Sequence, residues 1–90
     1  MGKQFSTEDY INYLKSKGFV FKEDALGFIE FGKHYTASPD HLVNIAIEIT
    51  LKAQKEFDGS FFVSFLEILK KEEVQTKKHA FKLAEEKKII

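Results

Sequence analysis

Hydrophobic residues recur at helical spacing most regularly in the stretch 57–69, which reads FDGSFFVSFLEIL. On a helix that turns about 100° per residue, the apolar side chains of this stretch share an arc of about 160°. They are Phe61, Phe62, Phe65, Leu66, Ile68 and Leu69. The pattern predicts a helix from Phe61 to Lys71, with Ser60 as its N-cap residue.

The apolar face of this predicted helix has two interpretations. The first is core, because a chain of 90 residues has few other segments that can form one. The alternative is a partly exposed face that binds a partner through Phe61, Phe65 and Leu69. We favour the core, and we expect the face to pack against Leu42, Ala46 and Ile49.

The segment 38–56 predicts a central helix, because apolar residues cover most of its circumference. Only a narrow polar stripe remains, formed by Asn44, Glu48, Lys52 and Lys55. Ser38 is the predicted N-cap residue, Pro39 takes the first helical position and Asp40 follows. An apolar belt this wide is typical of a helix that neighbours contact on several sides.

Two further helices have hydroxyl residues at their predicted starts. Ser6 or Thr7 is the N-cap candidate of the first helix, and Gly18 is its predicted stop. Thr76 is the N-cap candidate of the last helix, whose sequence is KKHAFKLAEEKK. The residues expected on the inner side of this last helix are Ala80, Phe81 and Ala84.

The remaining helix is predicted from Glu23 to His34 and contains two glycines, Gly27 and Gly32. Each glycine weakens a helix by about 1 kcal/mol relative to alanine. They indicate either close packing against another helix or an early end near Gly32. With no convincing alternating strand pattern, the sequence predicts one all-α domain over residues 1–90, a compact bundle of about five short helices.

Composition excludes several classes of protein. The chain contains no cysteine, so it has no disulfide framework and no thiol nucleophile, which fits a reducing compartment. Its apolar runs are too short to cross a bilayer, and we expect no membrane partner and a cytoplasmic location. Fourteen lysines, with no arginine, balance fourteen acidic residues. This balance argues against a dedicated nucleic-acid binder, which usually carries a clear basic patch.

No catalytic or metal-binding motif is present in the sequence. The histidines His34, His41 and His79 are not paired at the spacing of a known metal site. Adjacent carboxylates such as Glu72 and Glu73 point about 100° apart on a helix, so they do not form a catalytic dyad. We therefore expect no enzyme activity, no metal and no cofactor.

Residues 60–90 carry a small positive excess, with seven lysines against five acidic residues. The candidate nucleic-acid contacts in this part are Lys70, Lys71, Lys77, Lys78 and Lys82. The favoured alternative is an ordinary solvated face, because glutamates are interleaved with these lysines along the chain.

The stretch FFVSFLEILKKEEVQTKKHA, residues 61–80, resembles the end of a known module. This is the C-terminal helical module of the DnaD and DnaB replication-initiation proteins of Gram-positive bacteria. Phe61 stands at the tyrosine of that module's motif, Phe65-Leu66 at its aliphatic pair and Leu69 at its tryptophan. Further along, Val74 stands at its isoleucine, Thr76 at its threonine and Ala80 at its alanine.

The resemblance extends upstream and covers about half of the chain, residues 42–84. Ala46-Ile47-Glu48 and Lys55 resemble the preceding helix of the module, and FGK at 31–33 with Ser38-Pro39 resembles its entry segment. The resemblance implies a helical fold and a role in DNA binding. This chain departs from the motif at Phe61 and Leu69, which lack the tyrosine hydroxyl and the indole that can donate hydrogen bonds or stack on bases.

Two functional hypotheses follow from the sequence. The leading one is a non-enzymatic protein-interaction or regulatory module, whose partner is another protein or a second copy of the chain. The alternative is a DNA-binding accessory module of the DnaD type that uses the lysines of the last two helices.

Overall fold

A computed structural model describes residues 5–90 and shows five α-helices in that range, with no strand. They are α1 (Thr7–Ser16), α2 (Glu23–Thr36), α3 (Asp40–Gln54), α4 (Gly59–Lys71) and α5 (Lys77–Glu86). The prediction of an all-α bundle of five short helices is confirmed.

Helix α3 forms the centre of the bundle and contacts each of the other four helices. Its buried residues are Leu42, Val43, Ile45, Ala46, Ile47, Ile49, Thr50 and Leu51. The hydroxyl of Thr50 is satisfied within the helix, since Oγ1 donates to the Ala46 carbonyl at 2.7 Å. The broad apolar belt in the sequence therefore predicted the central position of α3 correctly.

Helices α2 and α4 pack side by side and run in the same direction. Phe28 lies over Gly59, Gly32 faces Phe62, and Thr36 accepts a hydrogen bond from the side chain of Lys70, so residue numbers rise together along both helices. A β-carbon at Gly32 would lie 2.9 Å from Cε2 of the Phe62 ring. Gly32 therefore permits close packing and does not end the helix, which continues to Thr36.

Three of the predicted helix boundaries are confirmed by hydrogen bonds or backbone conformation. The hydroxyl of Ser6 accepts from the backbone N–H of Asp9 at 3.1 Å, and that of Thr76 accepts from the N–H of His79 at 3.1 Å. Gly18 has φ +102°, a left-handed conformation that glycine adopts without strain just after α1.

The predicted N-cap role of Ser38 is wrong. Its hydroxyl is buried and pairs with Thr36 Oγ1 at 2.6 Å, so it is not available to the first turn of α3. Pro39 occupies the N-cap position instead, with its carbonyl accepting from Val43, and the helix begins at Asp40. The carboxylate of Asp40 turns away from α3 and interacts with α1 and α2.

The predicted N-cap role of Ser60 is also wrong. Asp58 Oδ1 accepts from the backbone N–H of Phe61 at 3.0 Å, and α4 begins at Gly59. A carboxylate is as good an N-cap as a hydroxyl, and its negative charge is also stabilised by the positive end of the helix dipole. Ser60 lies within the first turn and is exposed.

Candidate functional site

The Phe-rich face of α4 lies in the core. Phe62, Phe65 and Leu69 are 0%, 1% and 0% exposed, which confirms the core interpretation for these residues. Phe65 and Leu69 therefore offer no surface to a partner in this conformation. Phe61 is half-buried, and its ring stacks on that of Phe65 with centroids 6.1 Å apart.

The five candidate lysines of α4 and α5 are all exposed, but two of them are engaged with neighbouring helices. Lys70 Nζ donates to the Thr36 carbonyl at 2.6 Å, at the end of α2. Lys77 Nζ lies 3.2 Å from Glu48 Oε1 of α3. These two lysines are thus drawn towards different helices, and DNA contact by the group stays a prediction.

Helix α2 carries an exposed row of aromatic residues that the sequence analysis missed. Phe28, Phe31 and Tyr35 are 41%, 55% and 61% exposed, and we call these three residues the α2 stripe. The rings of Phe31 and Tyr35 are stacked, with centroids 5.3 Å apart and an interplanar angle of 11°. At about 100° per residue the three residues share an arc of about 60°, so they form one continuous row.

The α2 stripe is exposed because α2 has two apolar faces and only one of them is covered. The covered face contains Ile29, which is 1% exposed, and the buried residues Gly32 and Thr36. A sequence signal for the second face existed, namely aromatic residues at positions i, i+3 and i+7. Gly32 lies on the covered face of the same helix and allows that face to pack closely against α4.

Apolar surface continues beyond the N-terminal end of the α2 stripe, and charged residues flank its C-terminal end. At the N-terminal end, Phe28 lines an open cleft of about 470 Å³ together with Phe19 and Val20 of the connection between α1 and α2. Val20 is 72% exposed and Phe19 39%. At the other end, Tyr35 lines a shallow depression whose other walls are charged, formed by Glu67, Lys70 and Lys71.

Gly59 makes the position of Phe28 possible. The Phe28 ring lies so close to the α-carbon of Gly59 that any β-carbon there would overlap it. The first turn of α4 thus supports one side of the ring while the other side stays open to solvent.

A second aromatic cluster joins residue 5 to α1. The rings of Phe5, Tyr10 and Tyr13 lie with centroids 5.8 to 6.4 Å apart. Asn44 of α3 donates from Nδ2 to the Phe5 carbonyl at 3.0 Å. Burial, with smaller contributions from Glu48 and Tyr13, raises the pKa of Tyr10 to about 12. This cluster holds residue 5 against the bundle, so we assign it a structural role.

Asp40 connects three helices through its carboxylate. Oδ2 accepts from the backbone N–H of Thr7 at 3.2 Å, at the first residue of α1, and Oδ1 lies 2.6 Å from Lys33 Nζ of α2. The hydrogen bond from Lys33 is the largest of the effects that lower the pKa of Asp40, and the same bond raises the pKa of Lys33. The pair fixes the C-terminal half of α2 relative to α1 and α3.

The three histidines are separated in the fold. His34 lies 3.4 Å from Glu30 on α2, and His41 Nε2 donates to the Gln75 carbonyl at 3.1 Å. In residues 5–90 no group of three or more histidine, aspartate or glutamate side chains is placed to hold a metal ion. Within the same range, no helix combines the length and the apolar character needed to cross a membrane.

Comparison with known proteins gives a family but no described relative. No curated protein and no solved structure matches this chain. A family model described as a family of unknown function, DUF6123, matches residues 1–90. Because the match spans the whole sequence, the chain belongs to the DUF6123 family.

Proposed function

We propose that this protein is a small non-enzymatic helical interaction module that binds a protein partner through the α2 stripe. The observation that carries the proposal is the exposure of three aromatic side chains, Phe28, Phe31 and Tyr35, in one continuous row. Single exposed apolar residues are ordinary on a protein surface, whereas the largest contiguous apolar patch of a monomer, about 300–600 Å², is often functional.

The aromatic rings of the α2 stripe are well suited to binding. Aromatic residues dominate the energetics of interfaces because each ring carries a large apolar area and few rotatable bonds. Phe31 and Tyr35 are already stacked on each other, and Phe28 rests on the backbone of Gly59. A partner would therefore meet side chains that are largely ordered, which lowers the entropic cost of binding.

The surroundings of the α2 stripe favour a protein over a small molecule. The stripe is an exposed row along a helix that borders open depressions, with Phe19 and Val20 at one end and charged residues at the other. Small ligands are usually held in concave pockets that bury most of their surface. A helix or a flat surface of another protein fits such a row better.

The DNA-binding alternative has less support from the described residues. Lys70 and Lys77 are engaged with protein groups, and the chain has no net charge. Nucleic-acid affinity arises mainly from cations that neutralise phosphates.

Photo-crosslinking tests the proposal, and the absence of cysteine makes the labelling specific. Gly27 is exposed beside the α2 stripe, and a β-carbon there meets nothing within 4 Å. A benzophenone attached to Gly27→Cys, irradiated in an extract of the native cells, should form a defined protein adduct. The matched control carries the same label at Lys78→Cys, an exposed site on α5.

The adduct should disappear when Phe31→Ala is added to the labelled Gly27→Cys chain, because the partner would lose its central contact. An adduct at Lys78→Cys of equal yield, or no adduct at Gly27→Cys, would contradict the proposal.

A further inference from the structure

Opposite charges flank the two ends of the α2 stripe. At the N-terminal end, Asp24 is exposed and shares the arc of the stripe, one turn before Phe28. At the C-terminal end, Lys71 lines the same depression as Tyr35. Neither Asp24 nor Lys71 takes part in an ion pair within residues 5–90.

The net charge at the two ends has opposite sign. Lys22, Glu23 and Asp24 give the N-terminal end a charge of −1, and Glu67, Lys70 and Lys71 give the C-terminal end a charge of +1. A surface with an apolar centre and one end of each sign is complementary to itself when one copy is turned end to end. Two-fold dimers of this kind are the commonest oligomers.

The parallel packing of α2 and α4 places these charges at matching distances from the centre of the stripe. Asp24 precedes Phe31 by seven residues, roughly 10 Å along a helix, and Thr36 follows it by five, about 8 Å. The hydrogen bond from Lys70 to the Thr36 carbonyl shows that the C-terminal end of α4 lies at this level. The flexible stem of Lys71 can span the remaining distance.

We infer that the partner of the α2 stripe is a second copy of this chain, and the inference rests on the proposed function. The two α2 helices run antiparallel across a two-fold axis near Phe31. Each stripe covers the other, and Asp24 of each copy faces Lys71 of the other. The antiparallel arrangement also places the dipoles of the two helices favourably.

The size of the surface indicates which class of interface this dimer belongs to. An aromatic residue can bury about 150–250 Å², and the three rings are about half exposed, so the stripe offers on the order of 300 Å² per copy. A standard interface buries about 800 Å² per partner. Even with Phe19 and Val20 included, the dimer belongs to the weak, transient class.

Charge reversal tests both the dimer and its geometry. Sedimentation equilibrium of the intact protein from about 20 μM to 1 mM should show reversible dimerisation, because weak complexes dissociate in the micromolar to millimolar range. Asp24→Lys and Lys71→Glu should each weaken it about tenfold, because each change places two pairs of like charges in contact. The double variant Asp24→Lys/Lys71→Glu should return to within about threefold of the parent protein, since both pairs are restored with reversed sign.

Two controls separate charge effects from loss of structure. Lys78→Glu on α5 changes the net charge by the same amount as Lys71→Glu and should leave the dissociation constant unchanged. Phe31→Ala should abolish dimerisation over the same range while the circular dichroism melting curve stays the same.

The outcomes distinguish this inference from the proposed function. A protein that stays monomeric at 1 mM, or a double variant no stronger than the weaker single one, overturns the antiparallel dimer. If the benzophenone at Gly27→Cys then captures a different protein, the interaction module stands with another partner. If it captures nothing, both proposals fall.

Discussion

Helices α2 and α4 are similar in length, rich in phenylalanine and packed side by side, yet their aromatic residues differ in solvent exposure. Phe62 and Phe65 of α4 are closed into the core, whereas Phe28 and Phe31 of α2 are exposed. The reason is the number of neighbours. Helix α4 lies against both α2 and α3, while α2 packs closely on α4 and touches α3 only slightly.

The comparison shows that aromatic content alone does not locate a core. The close-packed face of α2 is marked by its small residue, Gly32, which allows α4 to approach. The exposed aromatic residues of α2 lie on the adjacent face, and Ile29 is the large residue that is buried on the packed face. In α4 the large residues form the packed face themselves, and Phe62 and Leu66 lie against Gly32 of α2.

The largest expected difference between the two helices is in the cost of removing a ring. Phe62→Ala should lower the free energy of unfolding by about 3–5 kcal/mol, because it leaves a cavity among fully buried side chains. Phe31→Ala should change it by no more than about 0.5 kcal/mol, since the ring is on the surface. Urea denaturation followed by circular dichroism measures both values.

Phe62→Ala removes a large part of the stability of a domain this small, so Phe62→Leu provides a second measurement. We expect a loss of about 1–2 kcal/mol for that variant, because the volume is largely kept but the shape differs. Similar losses for Phe31→Ala and Phe62→Leu would contradict the assignment of the two faces.

The two glycines of α2 give the next largest contrast. Gly32→Ala should destabilise the protein by about 1–2 kcal/mol, since its β-carbon would meet the buried Phe62 ring and overpacking exceeds the gain in helix propensity. Gly27→Ala should stabilise it by about 0.5–1 kcal/mol, because nothing lies within 4 Å of the new carbon. Equal signs for the two variants, measured by thermal melting, would contradict the packing of α2 on α4.

Asp40 provides a further test of how α2 is held, because its carboxylate fixes the covered side of this helix to the rest of the bundle. Asp40→Asn should cost about 1 kcal/mol at neutral pH, since the ion pair with Lys33 is lost and the bond to the Thr7 N–H is weakened. The pKa of Asp40 is lowered in the folded protein, so its contribution is fully present above the unfolded pKa of about 3.9 and is lost as the pH falls through the folded value.

The pKa of Lys33 sets the upper pH limit of the stabilisation by this ion pair. Its pKa is raised, so the contribution is fully present below about 10.4 and is lost as the pH rises through the folded value. The difference in stability between the parent protein and Asp40→Asn should therefore be constant from about pH 4 to 10 and shrink outside that window. A constant difference down to pH 2 would show that the carboxylate charge plays no part.

The smallest expected effect on stability lies in the α2 stripe. Tyr35→Ala should leave the melting temperature nearly unchanged but reduce partner binding, because Tyr35 is 61% exposed and stacks only on Phe31. Tyr35→Phe is the matched control, since it keeps the stacked ring and removes only the hydroxyl. If Tyr35→Ala bound its partner as well as Tyr35→Phe, the end of the stripe would not be part of the interface.

Much of this fold follows from local sequence patterns, and the part that does not depends on tertiary neighbours. The apolar belt of α3 and the Phe-rich face of α4 are visible in the spacing of residues along a single helix. The caps Ser6 and Thr76 each make a hydrogen bond within the first turn of one helix. Ser60 is not the N-cap residue because the carboxylate of Asp58, two residues earlier, accepts the hydrogen bond from the first turn of α4. Ser38 failed because the end of α2 brought Thr36 to its hydroxyl.

The α2 stripe was missed for a related reason. In the sequence, Ala25, Leu26 and Ile29 share one apolar face of α2, and the aromatic residues of the stripe form a second face of the same hydrophobic character. Periodicity shows how many faces a helix has, but which face is covered depends on where α4 lies. The glycine at position 32 was the local sign of that choice, since close packing needs a small residue.

The most direct test of the central claim, that α2 is the binding helix and α4 the core helix, is a concentration series of two-dimensional ¹H–¹⁵N NMR spectra. Between about 20 μM and 1 mM, a range that brackets a weak dimer, the shifts should change at residues 24–36 and 67–71 and stay constant at 61–66. Changes centred on α5 or on the cluster of Phe5, Tyr10 and Tyr13, with α2 constant, would contradict the account.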